Sequence, residues 1–233
     1  MTTFMNNLEQ LSKDFETKTA PEILKWAFDT YPKIAISSSF GADAIGLLHM
    51  AVQIRPDVPI HFVNTGFLFP ETLEYVERMK KLLNLNVVEF KTKNNVDAFM
   101  QQHPDIQKIN PDFCCAENKV EPMQRALEGL DAWIAGLRRD QSKTRKDTPI
   151  LQPYKTGIVK IHPIANWTSK QLHYYIVEHK LPFHPLYDQG YPSIGCFPCT
   201  RKPADPSDPR SGRWAGNDKT ECGIHTFMDQ EKA

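Results

Sequence analysis

The sequence predicts an α/β fold: a Rossmann-like, doubly wound, mostly parallel sheet with helices on both faces, followed by an irregular C-terminal tail. Three observations predict it. Short apolar runs rich in β-branched residues recur at spacings too long for hairpins, and amphipathic helical patterns separate them. Beyond Pro182, Pro and Gly become dense and hydrophobic periodicity vanishes. A first helical pattern covers Pro21 to Tyr31 and leads into a strand at Ile34 to Ser37. A helix follows from Asp43 to Ile54, then a strand at Ile60 to Asn64, a helix from Pro70 to Leu83 and a strand at Val87 to Phe90. Val96 to Leu130 reads as a longer, irregular helical region before strands at Ala132 to Leu137 and Val159 to Ile164. A last helix, Ser169 to His179, has Thr168 placed to cap it, and Pro182 is expected to end it.

Composition narrows the function classes. The chain has 233 residues, enough for one sizeable core, and 40% of them are apolar. Lys plus Arg equals Asp plus Glu at 28 each, so no global basic field suits nucleic acid or a membrane surface. Basic residues do cluster locally, from Arg138 to Lys146 and from Arg201 to Arg213. No apolar stretch approaches the roughly 20 residues that cross a bilayer, and the first residues do not read as a signal peptide. Five cysteines without an export signal point to thiols kept reduced in a cytoplasm.

The first strand runs into Ser37-Ser38-Ser39-Phe40-Gly41-Ala42-Asp43 and then directly into a helix. Small hydroxyl residues and a Gly let backbone approach an anion, and a helix start offers unpaired N–H groups. The plainer reading is a Ser-rich turn with Asp43 as helix cap. The second strand ends in Asn64-Thr65-Gly66, a turn that in a doubly wound sheet faces the ligand crevice. Phe67 and Phe69 beside it suit packing better than stacking on a ligand. Gly136-Leu137-Arg138-Arg139-Asp140-Gln141-Ser142 leaves another strand end, with arginines suited to bidentate recognition of phosphate or sulfate.

The cysteines fall as Cys114-Cys115, Cys196-Phe197-Pro198-Cys199 and a lone Cys222. Two pairs supply the four thiolates of an iron–sulfur cluster or a structural zinc. Neighbouring side chains diverge by about 100° on a helix, which fits a large cluster better than one small ion. Zinc stays open on spacing alone. Cys222 stands apart in Glu221-Cys222-Gly223-Ile224-His225, a stretch too polar for core and suited to a reactive thiol.

Taken in order, these segments, with Lys119 and Gly212-Arg213-Trp214, resemble the iron–sulfur form of assimilatory adenylyl-sulfate (APS) reductase. This is a branch of the PAPS reductase family within the adenine nucleotide α-hydrolase-like proteins, and the likeness runs from about residue 20 to 227. Ser37, Ser38, Ser39, Gly41 and Asp43 fill the family's PP-loop position, and Thr65 and Gly66 its Asp/Asn-Thr-Gly turn; Asn64 departs from the more usual Asp. The resemblance implies that Cys114, Cys115, Cys196 and Cys199 hold one [4Fe-4S] cluster. It implies that Cys222 attacks the sulfur of APS, leaving an S-sulfocysteine that thioredoxin or glutaredoxin reduces to release sulfite. Lys119, Arg138, Arg139, Arg210 and Arg213 would surround phosphate and sulfate, and His225 would act by proton transfer or by ordering the tail. Residues 1–199 are expected to form the nucleotide domain with its cluster loops, and residues 200–233 the tail. A homo-oligomer is implied too. Reduction of 3′-phospho-APS (PAPS), as well or instead, is the rival within the family; members restricted to PAPS generally lack both cysteine pairs, so their presence here favours APS. A PP-loop ATP pyrophosphatase acting on tRNA is the remote alternative, at odds with the Phe-Gly-Ala of this loop and with the neutral charge.

Overall fold

The strands β1 (Ile34–Ser37), β2 (Ile60–Asn64), β3 (Val87–Lys91), β4 (Ala132–Ala135), β5 (Leu151–Pro153) and β6 (Val159–Ile161) form one sheet in the order β3-β2-β1-β4-β6-β5. The structure, a computed structural model, describes residues 2–154, 157–205 and 208–225. All neighbouring strands run parallel except β5, which pairs antiparallel with β6 at the edge. The mostly parallel sheet expected from the strand spacing is therefore present. β5 was not legible: it is three residues long and ends in Pro153, tolerated because an edge strand need not donate on its outer side.

The helices are α1 (Thr2–Asp14), α2 (Ala20–Thr30), α3 (Ala44–Ile54), α4 (Pro70–Leu83), α5 (Val96–Gln102), α6 (Ile106–Ile109), α7 (Pro111–Cys115), α8 (Glu121–Leu127) and α9 (Ser169–Glu178). Helix α1, absent from the sequence reading, packs against β5. The irregular region is a series of short helices, with a π-helical turn at Ala116–Val120 between α7 and α8. Capping boxes start two helices, Thr19 with Glu22 on α2 and Thr168 with Gln171 on α9. Pro182 does not end α9. Lys180 takes a left-handed conformation at φ +53°, and the Leu181 N–H closes back on the Ile176 carbonyl at 2.9 Å.

Alternation along β4 divides the core between the two faces. Ala132 and Ile134 join the large core with Ile36, Ile60 and Leu48, under α2, α3, α4 and α9. Trp133 and Ala135 point the other way, onto Met123, Ala126 and Leu127 of α8. β4 stops at Ala135 and β6 at Ile161, short of the expected Leu137 and Ile164; the last β4–β6 pair is Ile134 with Ile161. The chain beyond these carboxyl ends is thus free to line a cleft. No helix among the described residues is long and apolar enough to cross a membrane.

Candidate active site

The cleft opens at the carboxyl ends of β1 and β4. Phe40 sits at φ +49° with its ring fully buried edge-on against Phe62, centroids 5.6 Å apart. That anchor costs backbone strain but turns the flanking Ser37, Ser38, Ser39 and Gly41 toward the cleft, which all four line. The Ser38 hydroxyl accepts from the Phe40 N–H at 3.0 Å, and Ser37 Oγ accepts from the Trp133 indole N–H at 2.7 Å.

Asp43 occupies the N-cap position of α3 but does not cap it. Its carboxylate accepts instead from Arg138 Nη1 at 2.5 Å, while Arg138 Nε donates to Asp140 at 3.0 Å. Asp140 also accepts from the Ser169 N–H at the start of α9. The Arg138 side chain is only 4% exposed, so these two carboxylates supply the pairing a buried guanidinium requires. Arg139, one residue on, turns away from the cleft. It forks onto Glu16 at 2.5 and 2.9 Å and donates to the Thr148 carbonyl.

Two further arginines reach the cleft on irregular segments. Arg145 holds Glu221 through Nε and Nη2 at 2.8 and 2.7 Å, and Arg210 holds the same carboxylate at 3.2 Å. Burial, aided by the neighbouring Arg145 charge, pushes Arg210 down to about 10. Burial alone would raise Glu221, yet Arg145 and Arg210 hold it below the usual carboxylate range. Arg213 differs: it donates to Ser193 Oγ at 3.3 Å, lies over the Trp214 ring at 4.7 Å, and leaves its buried Nε without a hydrogen-bond partner among the described residues. Gly195 makes room for it, since a Cβ there would meet Arg213 Nη2 at 2.1 Å. Lys119, on the π-helical turn, is 8% exposed and also lines the cleft. Among the described residues, Lys119 and Arg213 are the cleft cations that form no ion pair with a carboxylate.

Cys222 lies between these groups. Burial would push its thiol up, but Lys119, the Ile224 backbone N–H and Arg213 together bring it below its ordinary value. Burial likewise disfavours the Lys119 ammonium, and the Cys196, Cys222 and Cys115 sulfurs more than reverse this. Three residues after Cys222, the His225 ring stacks on Trp133 at 5.4 Å and 12°. Burial, and then the Lys160 and Arg145 charges, hold that imidazole neutral, far below its ordinary value.

A second cavity adjoins the cleft across Lys119. Cys114, Cys115, Cys196 and Cys199 all line it, together with Thr65 and Asn118. The Cys196 knuckle is stitched to the chain after β2: Phe197 N–H donates to the Phe67 carbonyl at 2.7 Å, and Thr65 Oγ1 lies 3.3 Å from Cys196 Sγ. Asn118 Nδ2 donates to the Cys114 carbonyl at 3.0 Å, tying the π-helical turn to α7. Burial pushes Cys114 up to about 11 and Cys115 up to about 12, and raises Cys199 as well. Among the described residues no group of three His, Cys, Asp or Glu side chains is arranged around one small ion. Four thiols around one cavity supply the donor set that an iron–sulfur cluster takes.

The structure therefore gathers most of the residues singled out from the sequence into two adjoining cavities. Lys119, Cys222 and His225 line the cleft with Asp43, Arg138, Arg210 and Arg213. Thr65 belongs to the cysteine cavity, while Gly66 and Arg139 line neither. Arg145, Glu221 and Trp133 were not singled out as site residues. Arg145 showed in the sequence as part of the basic cluster after Arg138, and Glu221 as the neighbour of Cys222, but nothing local marked their pairing.

A family model described as the phosphoadenosine phosphosulfate reductase domain matches residues 33–202. The chain is 40% identical over 229 residues to the adenosine 5′-phosphosulfate reductase of Salinibacter ruber, covering 96% of this chain and 90% of that one. It is 43% identical over 226 residues to the phosphoadenosine 5′-phosphosulfate reductase of Gloeobacter violaceus, covering 94% and 93%. The crystal structure of the phosphoadenylyl-sulfate reductase of Candida auris, a phosphate complex, superposes with a TM-score of 0.75 at 29% identity, covering 83% of this chain and 96% of that one. The sheet order, the cleft at its carboxyl edge and these matches lead to one conclusion: the chain belongs to the phosphoadenosine phosphosulfate reductase domain family.

Proposed function

We propose that this protein reduces adenylyl sulfate to sulfite and AMP, with a thioredoxin or glutaredoxin dithiol as electron donor. One observation carries the reading. A thiol drawn below its ordinary pKa stands in a cleft beside two cations, Lys119 and Arg213, that no carboxylate among the described residues neutralises. The other cleft arginines are committed, Arg138 to Asp43 and Asp140, and Arg145 and Arg210 to Glu221. A sulfate group is thus drawn to Lys119 and Arg213, and its sulfur toward Cys222.

The steps follow from charge. The Cys222 thiolate attacks the sulfur of APS, an S–S bond forms, and the S–O bond to phosphate breaks with its electron pair leaving on AMP. The leaving phosphate gains negative charge, which Arg213 and, once Glu221 shifts, Arg210 are placed to stabilise. A partner thiolate then attacks Cys222 Sγ and sulfite departs with the electron pair of the S–S bond. The partner's second thiol resolves the mixed disulfide, so the dithiol supplies both electrons.

Cys114, Cys115, Cys196 and Cys199 would hold one [4Fe-4S] cluster. When bound it keeps those four sulfurs as thiolates and adds electrostatic order beside Lys119. Residues 200–233 act as a tail that presents Cys222 to substrate and then to the reductant, in a cytoplasmic homo-oligomer. The resemblance of the cysteine pairs to the APS-specific branch favours APS. The Gloeobacter violaceus relative, named for the 3′-phosphorylated nucleotide, keeps PAPS as the second reading. Sulfite formation from APS and from PAPS with reduced thioredoxin, on anaerobically purified protein, tests both. The expected result is turnover of APS well above PAPS; the reverse order moves the assignment to PAPS, and no turnover of either overturns it.

A further inference from the structure

Trp133 is the largest fully buried side chain among the described residues and stands at the centre of β4, on the face toward α8. A buried indole needs an acceptor for its N–H. It finds Ser37 Oγ at 2.7 Å, the first serine of the cleft loop. Among the described residues its ring meets three other ring or cationic groups. His225 lies nearly parallel at 5.4 Å, Lys160 Nζ sits 4.5 Å from the ring centre, and Tyr154 packs edge-on at 5.3 Å. Lys160 Nζ also reaches the His225 carbonyl at 3.4 Å.

Cys222 is thus held from two sides. Upstream, Glu221 is clamped by Arg145 and Arg210. Downstream, Gly223 adopts φ +87°, a turn that folds His225 back into the core. His225 Nδ1 is buried without a hydrogen-bond partner among the described residues. Among the described residues, the ring is stacked on the indole face. The same indole therefore touches the loop that lines the cleft and the segment that bears the thiol.

We propose that Trp133 is a positioning residue: its ring is the plate that registers the Cys222 segment through His225, and its N–H sets Ser37 against the same frame. The proposal deepens the assignment of Cys222 as nucleophile and rests on it for its functional meaning. Its structural content is testable without substrate. The Lys219 side chain is 7% exposed and bound to Asp112 with the tail seated. Tryptic cleavage after Lys219, resolved by mass spectrometry, therefore reports how often the segment lifts.

Loss of one aromatic stack and its cation contact predicts about a tenfold faster nick after Lys219 in both Trp133→Leu and His225→Ala. Cleavage at sites elsewhere is expected to stay unchanged, which separates lifting of the tail from general loosening. The double variant is expected to be no faster than either single one, because both remove the same contact. His225→Phe, which keeps a flat ring and no nitrogen, is expected to return the rate to near that of the unaltered protein. Should Trp133→Leu not fold, the His225→Ala and His225→Phe pair still decides. An unchanged nick in His225→Ala, a His225→Phe variant as open as His225→Ala, or multiplying effects in the double variant would each overturn the proposal. Failure of APS turnover alone would overturn the functional reading and leave the nicking results in place.

Discussion

Cys115 and Cys222 lie on either side of Lys119 and share its charge, yet their thiols move in opposite directions. Burial acts on both and favours the neutral form. For Cys115 burial prevails, with the Cys222 and Cys196 sulfurs opposing the help from Lys119 and Lys219, and the thiol rises to about 12. For Cys222 the Ile224 N–H and Arg213 join Lys119, and the thiol falls below its ordinary value. The difference teaches that enclosure alone does not define a reactive cysteine; the surrounding donors do. Burial holds Cys114, Cys115 and Cys199 toward the neutral thiol, and a metal cluster bound in their cavity would supply the cation that makes them thiolates. Cys222 has its cations built in.

The contrast is most severely tested by Cys222→Ser. Sulfite formation is expected to fall by more than about 10⁴-fold, while the visible absorbance of a cluster in the other cavity persists. Loss of colour in this variant would merge the two sets of cysteines. Lys119→Met removes the cation common to both. It is expected to lower the rate by about 10²-fold and to shift the pH profile of Cys222 alkylation. In the unaltered protein that profile should rise through a midpoint below the ordinary thiol value of about 8.5, because the thiolate reacts and its proton leaves early. In Lys119→Met the midpoint should move up; an unmoved midpoint would assign the shift to Arg213 and the Ile224 N–H alone.

Arg213→Ala and Arg139→Ala compare a cation left open in the cleft with one committed elsewhere. The first should reduce kcat/KM by about tenfold or more, the second by less than about twofold, since its exposed pair with Glu16 contributes little. Equal effects in steady-state kinetics would remove the distinction. The smallest effect carries the burial rule over to a base. Burial, with Lys160 nearby, pushes His162 down to about 3, whereas an unfolded histidine titrates near 6.5. Its contribution is intact above about pH 6.5 and is lost as pH falls toward 3, where the unfolded chain binds the proton more readily. Replacing it by Phe should flatten the acid limb of the stability curve measured by denaturant unfolding.

Much of this was legible in the sequence because it rests on periodicity. The five parallel strands show as short apolar runs, and α9 declares itself through Thr168 as its cap. β5 shows no such period, since three residues carry too little pattern. The cysteine pairs were legible from spacing, and their common cavity follows from the Phe67–Phe197 bond that no local pattern encodes. The arginines show the limit. Arg138 and Arg139 are neighbours of identical chemistry, but one enters the cleft and the other finds Glu16, more than a hundred residues upstream. Arg145 reaches Glu221 through a 3-10 turn whose direction depends on tertiary packing. Trp133 looks like an ordinary core residue until its ring meets a histidine from the far end of the described chain.

The carboxylate of Asp43 has a consequence for how sturdy this protein can become. A capping side chain is worth about 1 kcal/mol to a helix, and α2 and α9 both start with complete capping boxes. Helix α3, whose first turn borders the cleft, goes without one because Asp43 is held by Arg138. Turning that carboxylate back onto α3 would strengthen the helix and leave a buried guanidinium with one partner fewer. Gains in thermal tolerance at this position are therefore set against the arrangement of the cleft, and a more robust variant is better sought elsewhere in the fold.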